Sequence, residues 1–158
     1  MKILIVDDVE MNLDLLEARL VGSGYEVKSA ANGVEAMAIL NTDSVDMIIS
    51  DILMPKMDGY QFCRECQQSD TLRKIPFIFY TATYTSEKDK EFALSLGADR
   101  FLVKPAESKP FLAMIESILE EDKNGYSILS ETPLEKEEPV YLKEYNAAIR
   151  NVRKTQRN

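Results

Sequence analysis

The sequence predicts a doubly wound α/β fold, in which a five-stranded parallel sheet carries helices on both faces. Two observations support this prediction. Short apolar runs of strand length alternate with segments of helical periodicity, five of each over about 120 residues. The runs are continuously apolar, which is typical of strands buried on both faces of a parallel sheet. Parallel neighbours need a crossover connection, and the intervening helices provide it.

The first half of the chain contains three predicted strands and two predicted helices. The strands lie in residues 2–8 (KILIVDD), 25–29 and 45–51 (VDMIISD). The first helix ends near Gly22, and Asn32-Gly33 turns the chain into the second. Helical spacing of apolar residues predicts the first of these helices: Met11, Leu13, Leu16 and Leu20.

The second half continues the alternation. We expect helices at 60–68, 86–96 and 108–121, with strands at 75–80 and 100–103 between them. The glycine before the first of these helices, Gly59, is expected to serve backbone geometry or close packing. Spacing does not reveal the strand order. If the order is the flavodoxin-like 2-1-3-4-5, the topological switch point lies between strands one and three.

Reactive polar residues stand where four of the strands end. They are Asp7 and Asp8 after strand one, Asp51 after strand three, Thr81 after strand four and Lys104 after strand five. In open parallel sheets, ligands bind beyond the carboxyl ends of the strands, so these side chains are expected to share one crevice. Each alone is equally typical of a cap, a strand residue or a solvated charge. The prediction rests on their common placement.

The chemistry of this set favours magnesium and phosphoryl transfer. Three carboxylates within a few ångströms repel one another by several kcal/mol per pair at an effective dielectric near ~20. Oxygen ligands with open positions suit Mg²⁺, so we expect Asp8 and Asp51 to bind it directly and Asp7 to orient a metal-bound water. A carboxylate can also be a nucleophile, and Lys104 and Thr81 would neutralise or hydrogen-bond a phosphoryl group on Asp51.

Composition excludes several classes of function. The chain has no histidine, which rules out a Ser-His-Asp hydrolase, a His-ligated zinc enzyme and a phosphohistidine carrier. A net charge of −8 opposes direct binding to nucleic acid or to an anionic membrane. No run reaches the roughly 18 apolar residues of a membrane span, and the N-terminus does not read as a signal peptide. We therefore expect a cytoplasmic protein.

The two cysteines form a lone C-x-x-C pair. A redox or metal role would need an exposed helix start or a second ligand pair, and the sequence offers neither. Cys63 and Cys66 fall with Phe62 on the apolar stripe of a predicted helix. We predict that they are small core residues.

Residues 1–122 are predicted to form the domain, 123–138 a linker rich in Pro and Glu, and 139–158 an amphipathic connector helix. Two readings of the last segment stay open. In the first, the segment packs back on the domain or frays in solution. In the second, it connects to a further module. Its apolar seam is also compatible with a coiled-coil homodimer. The seam residues have heptad spacing: Leu142, Tyr145, Ile149 and Val152.

Four separated motifs resemble the receiver domain of two-component response regulators, the CheY-like family. They are VDD at 6–8, SDILMPKMDGY at 50–60, TA at 81–82 and KP at 104–105. The resemblance covers about residues 1–122. It implies that Asp51 accepts a phosphoryl group, that Asp8, Asp51 and the Leu53 carbonyl bind Mg²⁺, and that Thr81 and Lys104 contact the phosphoryl group. It also implies a cis Lys104-Pro105 peptide.

The resemblance implies partners and a switch as well. A sensor histidine kinase would supply the phosphoryl group, and a downstream output domain or protein would read the result. Thr81 is expected to move toward the phosphoryl group, Phe101 to turn inward, and the surface of helix four, strand five and helix five to change. The chain would catalyse only its own phosphorylation and dephosphorylation. More loosely, the C-terminal segment resembles the helical linkers of hybrid sensor proteins.

Three other functions fit the sequence less well. A pseudo-receiver that acts only as an interaction module fits poorly with a complete acidic site. A phosphatase of the haloacid dehalogenase type needs Asp-x-Asp after its first strand, whereas the acids here are adjacent at Asp7 and Asp8. A flavin-binding flavodoxin needs a loop rich in Ser, Thr and Gly after strand one, and VEMNLDLL does not provide it.

Overall fold

Alternating strands and helices make up the part of the chain that the computed structural model describes, residues 1–83 and 85–123. In chain order the elements are β1 (Lys2–Val6), α1 (Glu10–Val21), β2 (Glu26–Ala30), α2 (Gly33–Thr42), β3 (Met47–Ser50), α3 (Gly59–Gln68), a 3-10 turn (Leu72–Lys74), β4 (Phe77–Thr81), α4 (Glu87–Ser95), β5 (Arg100–Val103) and α5 (Ser108–Lys123). The five predicted strands and five predicted helices are all present. Apart from the backbone of residue 123, the predicted linker at 123–138 and connector at 139–158 lie outside the described residues.

The five strands form one parallel sheet in the order β2-β1-β3-β4-β5, which confirms the predicted fold class. The register explains why the polar strand ends meet. Val6 of β1 pairs with Ser50 of β3, so the residues that follow them, Asp7 and Asp51, leave the sheet side by side. Thr81 of β4 pairs with Val103 of β5, which places Lys104 just beyond the same edge.

Two apolar layers cover the two faces of the sheet, because successive strand residues point to opposite sides. One layer packs side chains such as Ile48, Phe77 and Phe79 against helices α2, α3 and α4. The other packs Ile3, Ile5, Ile49 and Tyr80, among others, against α1 and α5. Burial on both faces is the reason that β1, β3 and β4 are predominantly apolar, whereas most residues of the edge strand β2 (EVKSA) are exposed.

The cysteines lie inside the first of these layers, as predicted. Cys63 and Cys66 are buried and are not joined by a disulfide. Burial, with a smaller contribution from the charge of Glu65, raises the pKa of the Cys66 thiol to about 12. A thiol with so high a pKa stays protonated at neutral pH, which is the opposite of a reactive cysteine.

Side-chain caps set the starts of three helices. Asn32 accepts from the backbone N–H of Glu35 at 3.0 Å to begin α2, and Asp58 accepts from that of Gln61 at 2.8 Å to begin α3. Ser86 forms a capping box with Asp89 at the start of α4. The Asp58 cap starts α3 at Gly59, one residue earlier than predicted. Among the described residues, no helix combines the length and apolarity needed to cross a bilayer.

Candidate functional site

A buried ion cluster joins three of the predicted site residues. The ammonium of Lys104 donates to a carboxylate oxygen of Asp7 and, at 3.1 Å, to Oδ2 of Asp51. The side chains of Lys104, Asp7 and Asp51 are only 16%, 7% and 14% exposed. Burial acts to lower the pKa of Lys104, but the hydrogen bond to Asp7 and the charges of Asp51 and Asp7 together raise it above its usual value. The lysine is therefore a fixed positive charge between the two carboxylates.

Backbone groups orient both carboxylates. Oδ1 of Asp7 accepts from the N–H of Val9 at 2.9 Å, and Oδ1 of Asp51 accepts from the N–H of Ile52 at 2.7 Å. The N–H of Asp51 in turn donates to the Val6 carbonyl at 2.9 Å, across the β1–β3 switch point. In each carboxylate, one oxygen is held by the loop and the other faces Lys104.

Asp8 and Leu53 lie at the solvent side of the cluster. Both are exposed, and together with Asp51 and Lys104 they line a cleft of about 530 Å³ between α1 and the loops after β3, β4 and β5. The cleft places Asp51 within reach of a small phosphorylated donor from solvent. It brings together every predicted magnesium residue except Asp7, which lies buried behind it.

The side chains of Thr81 and Phe101 have contacts other than the ion pairs of Lys104. The Thr81 hydroxyl is fully buried, lies 3.0 Å from the hydroxyl of Thr83 and accepts from the Thr83 N–H at 3.1 Å. The sequence predicts that this hydroxyl contacts a phosphoryl group on Asp51. In the structure it contacts Thr83, at the end of β4. Phe101 is 8% exposed and packs in the same apolar layer as Phe79, its cross-strand neighbour.

The donor set fits a hard cation in its chemistry, because the cleft offers carboxylate and carbonyl oxygens and no histidine or thiolate. Across residues 1–83 and 85–123, however, no group of three or more His, Cys, Asp and Glu side chains is arranged as a ready metal site. The single ammonium of Lys104 is instead paired with both Asp7 and Asp51. A cation would have to share these carboxylates with the ammonium.

Sequence reasoning missed the residues that surround Lys104. The ring of Tyr80 lies beneath its ammonium, 5.5 Å from the ring centroid, and Arg19 reaches the same loop from α1. The only signal was a tyrosine hydroxyl in the otherwise apolar run FIFY. The Lys104-Pro105 peptide is cis, as the resemblance implied.

The sequence profile of the response regulator receiver domain matches residues 3–116. The chain is 43% identical over 117 residues to the "Probable transcriptional regulator ycf27" of Cyanidium caldarium and 39% identical over 117 residues to "Response regulator PleD" of Caulobacter vibrioides. Each match covers 74% of this chain but only 45% and 26% of those proteins, so the chain spans less than half the length of these curated relatives.

Solved structures agree with the sequence relatives. The signal receiver domain of a signal transduction histidine kinase from Syntrophus aciditrophicus superposes with a TM-score of 0.70 at 36% identity, covering 75% of this chain and 89% of that one. The three relatives are named as a probable transcriptional regulator, a response regulator and the receiver domain of a histidine kinase. With the profile match over most of the chain, they establish that this protein belongs to the response regulator receiver domain family of two-component signalling.

Proposed function

We propose that this chain is the phospho-accepting receiver domain of a response regulator, and that Asp51 takes a phosphoryl group from the phosphohistidine of a sensor histidine kinase. The observation that carries the proposal is the ammonium of Lys104 bridging Asp7 and Asp51 at the carboxyl edge of the sheet. This arrangement holds one carboxylate oxygen at a solvent-facing cleft, next to a fixed positive charge.

In the transfer step, a carboxylate oxygen of Asp51 attacks the phosphorus of phosphohistidine. A P–O bond forms, the P–N bond breaks, and the electron pair returns to the imidazole, which takes up a proton. The new phosphoryl oxygens lie where Lys104 can neutralise them, because its ammonium is already 3.1 Å from Asp51. Water later attacks the same phosphorus, which restores the Asp51 carboxylate and releases phosphate.

Receiver domains are generally Mg²⁺-dependent. Here the Asp8 and Asp51 carboxylates and the Leu53 carbonyl would bind the ion directly, and Asp7 would do so through a water. The ion would supply further positive charge against the phosphoryl oxygens. Asp8 supports this assignment because it lies at the cleft with an exposed side chain, outside the Lys104 cluster.

The switch would start at Thr81. Its hydroxyl would leave Thr83 and donate to the phosphoryl group, and the surface of α4, β5 and α5 would adjust around it. Phe101 is buried, which is the position that we expect phosphorylation to favour, and as phenylalanine it buries no hydroxyl. The receiver would act in the cytoplasm, without turnover chemistry, and pass its signal to an output domain or protein, for which residues 139–158 are our candidate connector or dimer seam.

The proposal is tested by incubating the full chain with acetyl phosphate and Mg²⁺ and measuring its intact mass. We expect one phosphoryl adduct on the wild type, stable to acid and labile to base, because an acyl phosphate is attacked readily by hydroxide. Asp51→Asn removes the nucleophilic oxygen and is expected to abolish the adduct.

Other outcomes would replace the proposal. A wild type that never gains the adduct would be a pseudo-receiver, an interaction module only. Equal labelling of the Asp51→Asn variant would place the nucleophile elsewhere. Sustained hydrolysis of many phosphate esters would instead indicate a phosphatase of the haloacid dehalogenase type.

A further inference from the structure

The loop that follows Lys104 is held by two side chains from distant parts of the chain. The Tyr80 hydroxyl accepts from the N–H of Ala106 at 3.1 Å, and Arg19 donates through Nη1 to the carbonyl of Ala106 at 3.1 Å. Both hydrogen-bonding groups of one residue are therefore fixed, one to β4 and the other to α1. A loop residue rarely needs two such side chains unless its position matters, because water could satisfy both groups.

Both side chains are packed against the same ring. Tyr80 is 8% exposed, and its ring centroid lies 5.1 Å from that of Phe111 in α5. The guanidinium carbon of Arg19 lies 5.3 Å from the centroid of the same Phe111 ring. Neither side chain can reorient without losing this contact, so together they form a rigid clamp on Ala106, defined by Tyr80, Arg19 and Phe111.

The backbone of Lys104 is also held by β4. Its own N–H donates to the Thr81 carbonyl at 2.9 Å, so the backbone is held two residues before Ala106 as well. The ammonium lies 5.5 Å from the centroid of the Tyr80 ring, a distance at which an aromatic face attracts a cation. The lysine side chain is long and flexible, and these contacts restrict it together with its ion pairs to Asp7 and Asp51.

We infer that Tyr80 and Arg19 are positioning residues for phosphoryl transfer, acting through Lys104 by fixing the loop that carries it. The inference rests on the proposed function of Asp51. The Tyr80 hydroxyl makes this strand residue part of the site. It links the loop that carries Lys104 to β4, the strand that ends in Thr81. Arg19 completes the restraint from the opposite side of the cleft.

Loosening the clamp is expected to slow the labelling of Asp51 without lowering the affinity for Mg²⁺. A loosened Lys104 meets the transferring phosphoryl group less well, so labelling of Asp51 slows. The same loosening weakens the ammonium's hold on Asp7 and Asp51, which a cation must share with it. Mg²⁺ affinity therefore stays the same or rises. General damage to the site would lower both quantities.

Tyr80→Phe tests the hydroxyl alone, since it keeps the ring and its contact with Phe111. Losing one hydrogen bond of ordinary strength predicts that the rate of labelling by acetyl phosphate falls about fivefold, with a Mg²⁺ dissociation constant no higher than that of the wild type. Tyr25→Phe is the matched control, because it removes a tyrosine hydroxyl outside the cleft and should change neither quantity. Thermal unfolding of each variant reports whether it is folded.

Arg19→Met is the second variant, and it decides the matter if Tyr80→Phe does not fold. It keeps a long apolar stem but removes the donor to Ala106, and we expect the same split between slower labelling and undiminished Mg²⁺ affinity. Arg64→Met is its control, since Arg64 also lies over a phenylalanine ring, 5.9 Å from that of Phe92 on the α3–α4 side of the sheet.

Combining Tyr80→Phe with Lys104→Ala separates positioning from a purely structural role. If the hydroxyl acts through the lysine, it has no further effect on Mg²⁺ affinity once Lys104 is absent. The positioning role is contradicted if Tyr80→Phe and Arg19→Met label at the wild-type rate, or if they lose Mg²⁺ affinity together with labelling. It is also contradicted if Tyr80→Phe changes Mg²⁺ affinity by the same factor with and without Lys104→Ala. A wild type that does not label overturns the proposed function instead.

Discussion

The central residues of the site form a charge cluster with one more carboxylate than cations. Lys104 contacts Asp7 and Asp51, while Asp8 stays exposed at the cleft. Partly buried charges of this kind are stable only while they are paired, so removing Lys104 would leave two carboxylates uncompensated. We propose that the surplus of negative charge prepares the site for a cation.

Cys66 provides a prediction at the same scale. Its pKa of about 12 in the folded chain lies above the ordinary value of 9.0 for an exposed thiol. The folded state therefore keeps a proton that the unfolded state releases, and the stability that this represents is complete below pH 9 and lost as the pH rises toward 12. Between those limits the unfolding free energy of the wild type should fall more steeply than that of Cys66→Ala, by about 1.4 kcal/mol per pH unit.

Urea unfolding at several values of pH measures this difference. The comparison with Cys66→Ala cancels the other groups that titrate in this range. Parallel pH profiles for the two proteins would contradict the assignment of a buried, protonated thiol.

The sequence predicted the charged residues of the site better than their partners. Asp7, Asp51 and Lys104 could be assigned because each directly follows a strand, and parallel strands bring such residues to one edge. The orientation of the Thr81 hydroxyl toward Thr83, and the contacts of Tyr80 and Arg19 with Ala106, could not be predicted. The contact between Arg19 and Ala106 spans 87 positions, and helical or strand periodicity carries no information about such a pair.

At the scale of elements, the start of α3 packs against Asp51, our proposed phosphorylation site. Gly59 is the first residue of this helix, and its N–H donates to the Ile52 carbonyl at 2.7 Å. A Cβ at Gly59 would lie 2.1 Å from the backbone oxygen of Asp51 and 2.8 Å from Cα of Ile52. Gly59 therefore packs closely against the backbone, as the sequence predicts. This contact positions the helix against the loop that carries Asp51.

Gly59→Ala should therefore both destabilise the domain and displace Asp51. We expect a loss of about 1–3 kcal/mol in the free energy of unfolding, because only backbone movement relieves the clash, together with slower labelling by acetyl phosphate. Gly33→Ala is the matched control. Gly33 is also the first residue of a capped helix, but the three atoms nearest its Cβ, at 2.7–2.9 Å, belong to the side chain of Met57 and not to backbone. Equal losses of stability in the two variants, measured by denaturant unfolding, would refute this account of Gly59.

The predicted and observed ends of the helices agree where a strong local sequence signal sets them. Gly97, with φ of 114°, lies two residues beyond the end of α4, and glycine adopts this backbone conformation without strain. The 3-10 turn at Leu72–Lys74 was not predicted, since the Ser69 hydroxyl that accepts from the Leu72 N–H is a weak turn signal in sequence. The sequence predicts the start of α3 one residue too late, because aspartate at position 58 is also typical of a turn.

At the scale of the whole molecule, the described domain corresponds to only part of each of these curated relatives. The curated relatives are more than twice the length of the matched region, so their additional parts have no counterpart in the domain described here. The heptad spacing of residues 142–152 is the one feature of the remaining sequence that suggests a means of connection.

Analytical ultracentrifugation can test that connection. We expect the full chain to self-associate with increasing concentration and a 1–124 truncation to remain monomeric, because the truncation removes the apolar seam of two heptads. Both proteins should label equally on Asp51. If the two sediment as identical monomers at all concentrations, residues 125–158 do not form a dimer seam.

Chemical trapping at Asp51 tests the central claim most directly. Borohydride reduces an acyl phosphate on aspartate to homoserine, which peptide mass mapping locates after labelling with acetyl phosphate and Mg²⁺. Our account predicts homoserine at position 51 and at no other acidic residue, with Asp7 and Asp8 unchanged. Homoserine at another position, or none in a wild type that carries the adduct, would contradict it.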